Sequence, residues 1–113
     1  IGSFVDELIL KYSPQVLAIE NLFFTNNQKT AMRVAETRGV LIYVAKKAGL
    51  TIHEFTPSQI KSAVTGNGQS DKIAVEKMLK LLLPDLKKVD KKIDDEYDAI
   101  ACGLAYFALE KSL

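Results

Sequence analysis

Cysteine is nearly absent from this sequence, and its scarcity narrows the classes of protein to which the chain can belong. Cys102 is the single cysteine among 113 residues, so no disulfide can form within the chain. No Cys-x-x-Cys pair or cluster of cysteine and histidine suggests a zinc site. We therefore expect an intracellular protein whose fold depends on a hydrophobic core.

Long apolar runs are also lacking. No run approaches the roughly 18 residues of a membrane span, and Ser3, Asp6 and Glu7 interrupt the first apolar stretch where a signal peptide would need continuity. The sequence thus predicts a cytoplasmic protein that does not enter a membrane. A length of 113 residues with 48% apolar content is enough for one domain and too short for two, so we expect a single domain over residues 1–113.

The net charge is small, at +1, but the charged residues are unevenly distributed. Residues 61–92 carry eight lysines against four acidic residues, whereas residues 93–113 carry one lysine against five acidic residues. Two solvated faces would produce this pattern. A phosphate-binding surface next to a metal site would produce it as well, and both interpretations stay open at this point.

The first half of the chain has the pattern of an α/β protein. Residues 4–12 have the spacing of an amphipathic helix, and Pro14 ends it. Residues 16–19 are apolar on both faces, which is typical of a central strand covered by helices. Apolar residues surround much of the helix predicted over residues 27–48, so we expect that helix to be largely buried, in part by a second subunit. A short strand is predicted over residues 51–55.

The second half predicts three helices. Thr56 with Gln59 forms a capping-box pattern before the first, and Ser70 is expected to cap the second, which ends at Pro84. The third is expected from about residue 94 to residue 111. The predicted packing side of the second helix is Ile73, Val75, Met78, Leu79, Leu82 and Leu83, and that of the third is Ile100, Ala101, Leu104, Ala105 and Ala108.

Two strands are too few for this pattern. A strand that is apolar on both faces needs hydrogen-bonding neighbours on both edges, and two strands with five helical segments make a poor sheet. The sequence also begins with Ile1 rather than methionine. The pattern therefore predicts that further strands lie upstream in a longer natural protein and that these residues are a fragment of it.

Three acidic residues are candidates for chemistry. Glu20 directly follows the predicted central strand, at the carboxyl end where open α/β sheets hold reactive groups. Asp95 and Asp98 are three residues apart in the first turn of the last helix and so share one face. A solvated strand end and a favourable helix dipole would explain them without any function. Together, however, they form a set of oxygen ligands suited to a hard divalent ion such as Mg²⁺.

The order and spacing of several motifs resemble one family. Glu20 is followed by Phe23, by an asparagine pair and then by an alanine-x-x-arginine-glycine helix that includes Arg38 and Gly39. Downstream come Pro57-Ser58-Gln59-Ile60-Lys61, the Gly66-Asn67-Gly68 loop, Lys72, and Asp95-Glu96-Tyr97-Asp98. In this order and at these separations, the motifs resemble the RuvC family of Holliday-junction resolvases over nearly the whole chain.

This resemblance implies an RNase H-like (ribonuclease H-like) fold and a crossover junction endodeoxyribonuclease. Such an enzyme makes paired nicks in four-way junction DNA as a homodimer, with Mg²⁺ as cofactor, in a two-metal site, and Mn²⁺ as its substitute. It also implies Glu20, Asp95 and Asp98 as catalytic metal ligands, Phe23 as the residue that stacks on a base, and Lys61 and Lys72 as phosphate contacts. The RuvAB branch-migration complex is an implied partner.

The family also begins with a strand that carries a fourth carboxylate in an aspartate-proline-glycine turn, and nothing in this sequence resembles that turn. We therefore expect these 113 residues by themselves to be inactive or nearly so as a nuclease, and to bind DNA better than they cut it. Two other functions stay open: a non-catalytic module of the same fold for DNA binding or dimerisation, and another RNase H-like nuclease or integrase. Phe23 could instead pack in the core, and either lysine could be a solvated surface cation.

Three further residues favour structural roles. His53 has no second histidine or cysteine near it and is expected to be partly buried rather than a ligand. Cys102 lies four residues after Asp98, on the same side of the helix, and is expected to pack beneath the candidate site. Arg38 and Gly39 are expected to serve helix packing or a dimer interface.

Overall fold

The computed structural model describes residues 2–21, 28–88 and 94–109, and the side chains of residues 87, 88, 94 and 95 are excluded from that description. The chain divides into two compact units. One consists of residues 1–17 and 22–53, and the other of residues 18–21 and 54–113. Among the helices of the described ranges, none has both the length and the apolar character of a membrane span.

Two helices pack together in the first unit, α1 (Gly2–Tyr12) and α2 (Gln28–Lys47). Gly2 lies in this contact, where an added Cβ would be at the ordinary contact distances of 3.6 Å from the Val40 side chain and 3.8 Å from the Val44 side chain. Helix α2 ends at a turn in which Gly49 has a φ of +87°, a value that favours glycine. The helix predicted over residues 27–48 is thus present with nearly the expected bounds.

The expectation that α2 is largely buried is wrong for the single chain. Of its residues, only Val44 and Ala45 are fully buried. Met32, Val40 and Tyr43 are mostly exposed, at 63%, 41% and 65%. The apolar pattern encircles the helix, but the neighbouring helix α1 covers only one side of it.

The two predicted strands are β1 (Val16–Glu20) and β2 (Thr51–Phe55), and they pair with each other. Thr51 N–H donates to the Gln15 carbonyl oxygen at the start of the strands, and Asn21 N–H donates to the Phe55 carbonyl oxygen at their end. Because both bonds join residues at corresponding ends, the strands are parallel. Glu20 is the last residue of β1, so its carboxylate lies at the carboxyl edge of this parallel pair.

The second unit contains α3 (Pro57–Thr65), α4 (Lys72–Leu82), a short 3₁₀ helix (Pro84–Lys88) and α5 (Asp94–Leu109). The predicted capping box is confirmed, since Gln59 N–H donates to Thr56 Oγ1 at 3.1 Å and Thr56 N–H donates to Gln59 Oε1 at 2.8 Å. Helix α3 packs on both α4 and α5. The buried core of this unit is formed by Phe55, Ile60, Val64, Leu79, Leu86, Tyr97, Ala101, Cys102 and Ala105.

Some predictions for α4 and α5 are wrong in detail. Asp71, not Ser70, caps α4, because its carboxylate accepts a hydrogen bond from Ala74 N–H at 2.8 Å. Ile73 and Leu82 were expected to pack but are 63% and 52% exposed, and Ala108 is exposed as well. The start of α4 one residue later explains why Ser70 is available for a different role.

Candidate functional site

Glu20 is the centre of a charged cluster in the second unit. Its side chain is partly buried at the end of β1. Burial raises the pKa of the Glu20 carboxyl, and repulsion from Asp98 raises it further, whereas Lys72 and Lys61 act in the opposite direction. Four of the six residues predicted for the site are therefore close enough to influence one another.

Asp98 and Lys72 are in direct contact. Lys72 is the first residue of α4, and its Nζ lies 3.7 Å from Asp98 Oδ2 on α5. The side chains remain 63% and 45% exposed, so water competes with the pair. The contact neutralises one of two neighbouring carboxylates, although its free-energy contribution is small, at about 0–1 kcal/mol for an exposed pair.

Lys61 provides the second cation from the next helix. It lies on α3 and is partly buried. It favours the ionised form of Glu20 and thereby partly offsets the burial of that carboxylate. The basic stretch that is visible in the sequence thus contributes two lysines from two different helices to one acidic site.

Cys102 packs beneath this cluster, as predicted from its position four residues after Asp98. It is 4% exposed. Burial raises the pKa of its thiol to about 11, and the negative charge of Glu20 contributes to the increase. The thiol is therefore protonated at neutral pH and serves as a small apolar packing group.

The connection between α3 and α4 is held by a hydroxyl group that the sequence analysis did not identify. Thr65 Oγ1 donates to the Lys61 carbonyl oxygen at 2.8 Å and accepts from Asn67 N–H at 3.1 Å. The Ser70 hydroxyl oxygen lies 3.0 Å from the same atom. A threonine in the last turn of a helix is the signal that could have indicated this bond, because its hydroxyl can donate to the backbone carbonyl four residues earlier.

The same connection is packed tightly against the start of α3. A Cβ added at Gly68 would lie 2.6 Å from Ser58 Oγ and 3.3 Å from the Ser58 carbonyl oxygen. Gly66 accommodates the helix end with a φ of +82°. The two glycines of the Gly66-Asn67-Gly68 motif are therefore favoured for different reasons. Gly66 has a positive φ, and Gly68 lies too close to Ser58 for a side chain.

Two predicted site residues are not tested by this geometry. Phe23 lies outside the described residues, and so does the side chain of Asp95, although its backbone belongs to the first turn of α5. His53 belongs to the other unit and is partly buried, as predicted. Among the described side chains, no group of three histidine, cysteine, aspartate or glutamate residues is arranged to hold a metal ion.

The described part of the cluster nevertheless has the chemistry of a divalent-cation site. Glu20 and Asp98 are hard oxygen donors whose mutual repulsion a cation would relieve, and one or two carboxylates are a common protein contribution to Mg²⁺ binding. Lys61 and Lys72 add positive charge beside them, where an anionic group such as a phosphate would be attracted. The residues therefore fit a metal ion together with a phosphate.

Comparison with known proteins gives consistent results. The family model of crossover junction endodeoxyribonuclease RuvC matches residues 1–106. A protein of that name from Thermosipho melanesiensis is 49% identical over 94 residues, which cover 83% of this chain and 59% of the relative. One from Caldicellulosiruptor saccharolyticus is 42% identical over 106 residues, covering 94% and 63%. The chain thus spans about three fifths of the length of these relatives.

Solved structures match as well. The structure of T. thermophilus RuvC in complex with a Holliday junction substrate aligns with a TM-score of 0.86 at 26% identity, covering 95% of this chain and 64% of the other. A second Thermus thermophilus RuvC structure aligns with a TM-score of 0.83 at 24% identity, covering 97% and 65%, and is evidence of the shared fold. The predicted α/β, RNase H-like fold is confirmed by these alignments.

Proposed function

The chain belongs to the crossover junction endodeoxyribonuclease RuvC family, and we propose that it supplies the catalytic surface of an endodeoxyribonuclease that resolves four-way DNA junctions. The observation that carries the proposal is the cluster of Glu20 and Asp98 with Lys61 and Lys72. Two carboxylates beside two cations suit a reaction at a phosphodiester, since one pair holds a metal ion and the other attracts the DNA backbone.

Mg²⁺ is the proposed cofactor, with Mn²⁺ as a substitute, in a two-metal site. Glu20 and Asp98 would bind it, together with Asp95, which is three residues before Asp98 on the same helix and so on the same face. When bound, two such ions activate a water molecule and stabilise the leaving oxygen of the cleaved strand. The partial burial of Glu20 limits access of bulk water and strengthens its electrostatic interactions.

Lys72 has two possible partners in this scheme. It contacts Asp98, and because both side chains are exposed, breaking that contact costs at most about 1 kcal/mol. We propose that Lys72 leaves Asp98 for a DNA phosphate when metal and junction bind. Lys61, whose positive charge already acts on Glu20, contacts a second phosphate near the scissile bond.

The remaining features of the proposal rest on the family resemblance. Phe23 stacks on a base near the junction centre, an interaction worth about 1–3 kcal/mol per base. The active protein is a homodimer, and the exposure of Met32, Val40 and Tyr43 on α2 supports an apolar interface there. The RuvAB branch-migration complex is the proposed functional partner.

Binding and nicking of synthetic DNA test the proposal. We expect the chain to bind a four-way junction at least tenfold more tightly than a duplex of the same sequence. Equal affinity within a few-fold would contradict the junction specificity. Nicking with Mg²⁺ is measured on the chain and on a hybrid in which the rest of the length comes from the Thermosipho melanesiensis relative, each with Glu20→Gln as control.

The outcome of this assay also separates three functions. Nicking by the hybrid that disappears in the Glu20→Gln variant supports the nuclease. Tight junction binding without nicking, unchanged by Glu20→Gln, would instead support a non-catalytic DNA-binding module of the same fold. Equal nicking of junctions and duplexes would favour another RNase H-like nuclease.

A further inference from the structure

The connection from α3 to α4 joins the two lysines of the site. Lys61 lies on α3 and Lys72 begins α4, and only residues 66–71 separate the two helices. The geometry of this connection therefore determines where the Lys72 side chain starts relative to Lys61. Since Lys72 reaches Asp98 and both lysines act on Glu20, a displacement of the connection would change the arrangement of the whole cluster.

The Thr65 hydroxyl joins this connection to helix α3 through hydrogen bonds. It donates to the Lys61 carbonyl oxygen at 2.8 Å and accepts from Asn67 N–H at 3.1 Å. The Ser70 hydroxyl oxygen, two residues before Lys72, lies 3.0 Å away. The Asn67 carbonyl oxygen also lies 3.0 Å from Thr65 Oγ1. Because a hydroxyl has one proton and two lone pairs, this group can donate to the nearer Lys61 carbonyl oxygen while it accepts from Asn67 N–H and from the Ser70 hydroxyl.

The rest of the connection is held by its own hydrogen bonds and by close packing. Gln69 N–H donates to Asn67 Oδ1 at 2.9 Å, and Ser70 N–H donates to the Asn67 carbonyl oxygen at 3.1 Å. Gly68 lies so close to Ser58 that a methyl group would not fit without movement. These contacts restrict the conformation of the connection, and the Thr65 side chain bonds it to the helix of Lys61.

We propose that Thr65 is a positioning residue for Lys72: its hydroxyl, bonded to Ser70 and to the Lys61 carbonyl, places the first residue of α4 where its ammonium reaches a DNA phosphate beside the carboxylates. The proposal rests on the proposed function, because it assigns Lys72 to DNA. Thr65 does not contact DNA in this scheme. It affects the affinity for DNA only by placing the Lys72 side chain.

The test is the salt dependence of junction binding by the 113-residue chain, followed by fluorescence anisotropy. The loss of one phosphate contact lowers the slope of log K against log salt concentration by about 1. We expect Thr65→Val, which removes the hydroxyl at nearly constant shape, to lower the slope by roughly 0.5–1 and the affinity about threefold to tenfold. Thr65→Ser, which keeps the hydroxyl, should restore both values.

A double-variant cycle distinguishes positioning from a general loss of structure. If Thr65 acts through Lys72, then Thr65→Val combined with Lys72→Gln binds as weakly as Lys72→Gln alone, within about twofold. If the two substitutions reduce the affinity independently, so that their fold-losses multiply in the double variant, the proposal is overturned.

Thr51→Val is the matched control, because Thr51 also donates its hydroxyl to a backbone carbonyl, that of Gln15, but lies in the other unit. It should leave the slope unchanged.

Other outcomes assign failure to one proposal or the other. If Thr65→Val retains the wild-type slope while Lys72→Gln lowers it, the positioning role is wrong and the proposed function stands. If Lys72→Gln itself leaves the slope unchanged, the DNA-contacting role of Lys72 is wrong and the positioning proposal fails with it. Ser70→Ala removes the other partner of the same bond and should also lower the slope, and a wild-type slope in that variant would show that the bond between Thr65 and Ser70 does not place Lys72.

Discussion

Lys72 Nζ lies 3.7 Å from Asp98 Oδ2, so the cation that begins α4 contacts a carboxylate that we propose as a metal ligand. The two residues are 26 positions apart in the sequence and belong to different helices. The pair offsets part of the negative charge of the cluster. Because both side chains are exposed, the contact does not hold either side chain rigidly in place. Among the described side chains, two carboxylates are thus balanced by two lysines, and the exposed contact leaves Asp98 accessible to a competing cation.

We predict that Lys72→Gln strengthens metal binding and weakens DNA binding. Removing the ammonium removes a competitor for Asp98, so the affinity for Mn²⁺ in the absence of DNA should rise about twofold to fivefold, the range given by an exposed pair worth up to about 1 kcal/mol. Isothermal titration calorimetry measures it. Lys77→Gln, an exposed lysine on the same helix, is the control and should change the metal affinity less. Weaker Mn²⁺ binding by Lys72→Gln would contradict the prediction.

We predict that Glu20→Gln makes the chain more stable at neutral pH. The pKa of Glu20 in the folded chain is raised above its ordinary value of 4.5, so the folded state binds this proton more tightly than the unfolded state. The contribution of this group to stability is therefore complete below pH 4.5 and is lost as the pH rises through the raised pKa. Above that pH the carboxylate is ionised, and its charge is destabilised by burial and by repulsion from Asp98. The uncharged amide of the glutamine avoids both costs.

The expected gain is small, because solvent and the two lysines offset part of the cost of the charge. Urea unfolding at pH 7 and at pH 4 measures it, and the difference between variant and wild type should shrink at the lower pH. Glu36→Gln, which changes an exposed carboxylate of α2, gives the comparison. A variant that is less stable than wild type at pH 7 would show that the carboxylate makes favourable contacts that outweigh its burial.

Much of the fold could be predicted from local pattern, and much of the site from the resemblance. The strand bounds and the Thr56 capping box depend on neighbouring residues, so the sequence alone predicts them well. The contact between Lys72 and Asp98 depends on how two distant helices pack, which no local spacing encodes. Ser70 was predicted as a cap because serine is a common N-cap residue, but Asp71 has the same ability and lies one residue nearer to the helix.

We predict that Cys102 resists alkylation in the folded chain. Its pKa of about 11 is two units above the ordinary value of 9.0, so the reactive thiolate is roughly a hundredfold scarcer at pH 8. Burial at 4% exposure slows the reaction further. Iodoacetamide labelling followed by mass spectrometry should therefore be at least about a hundredfold slower than in urea-unfolded chain.

The role of Glu20 in this protection can be separated from burial. Because the charge of Glu20 is the second cause of the raised pKa, Glu20→Gln should speed the labelling by a few-fold while the chain remains folded. Labelling of the folded wild type at the unfolded rate would mean that Cys102 is accessible, and that it does not pack beneath the site.

We predict opposite effects of the same substitution at two glycines of the second unit. Gly68→Ala would place a Cβ 2.6 Å from Ser58 Oγ and 3.3 Å from the Ser58 carbonyl oxygen, so that the Ser58 side chain or the connection must move, and should cost about 1–3 kcal/mol. Gly103→Ala, in helix α5, meets no atom within 4 Å and should instead stabilise the helix by about 0.5–1 kcal/mol. Chemical denaturation of the two variants measures both.

A second substitution shows whether the Gly68 effect comes from the close approach itself. Ser58→Ala removes the Oγ atom and leaves the Ser58 Cβ, which an added Cβ at residue 68 would meet at 3.8 Å, an ordinary contact distance. The double variant Ser58→Ala with Gly68→Ala should therefore recover at least half of the lost stability. If the position of the connection determines that of Lys72, the double variant should also regain the salt dependence of junction binding. A double variant no more stable than Gly68→Ala alone would mean that the Ser58 carbonyl, 3.3 Å from the added Cβ, is the contact that excludes a side chain at this position.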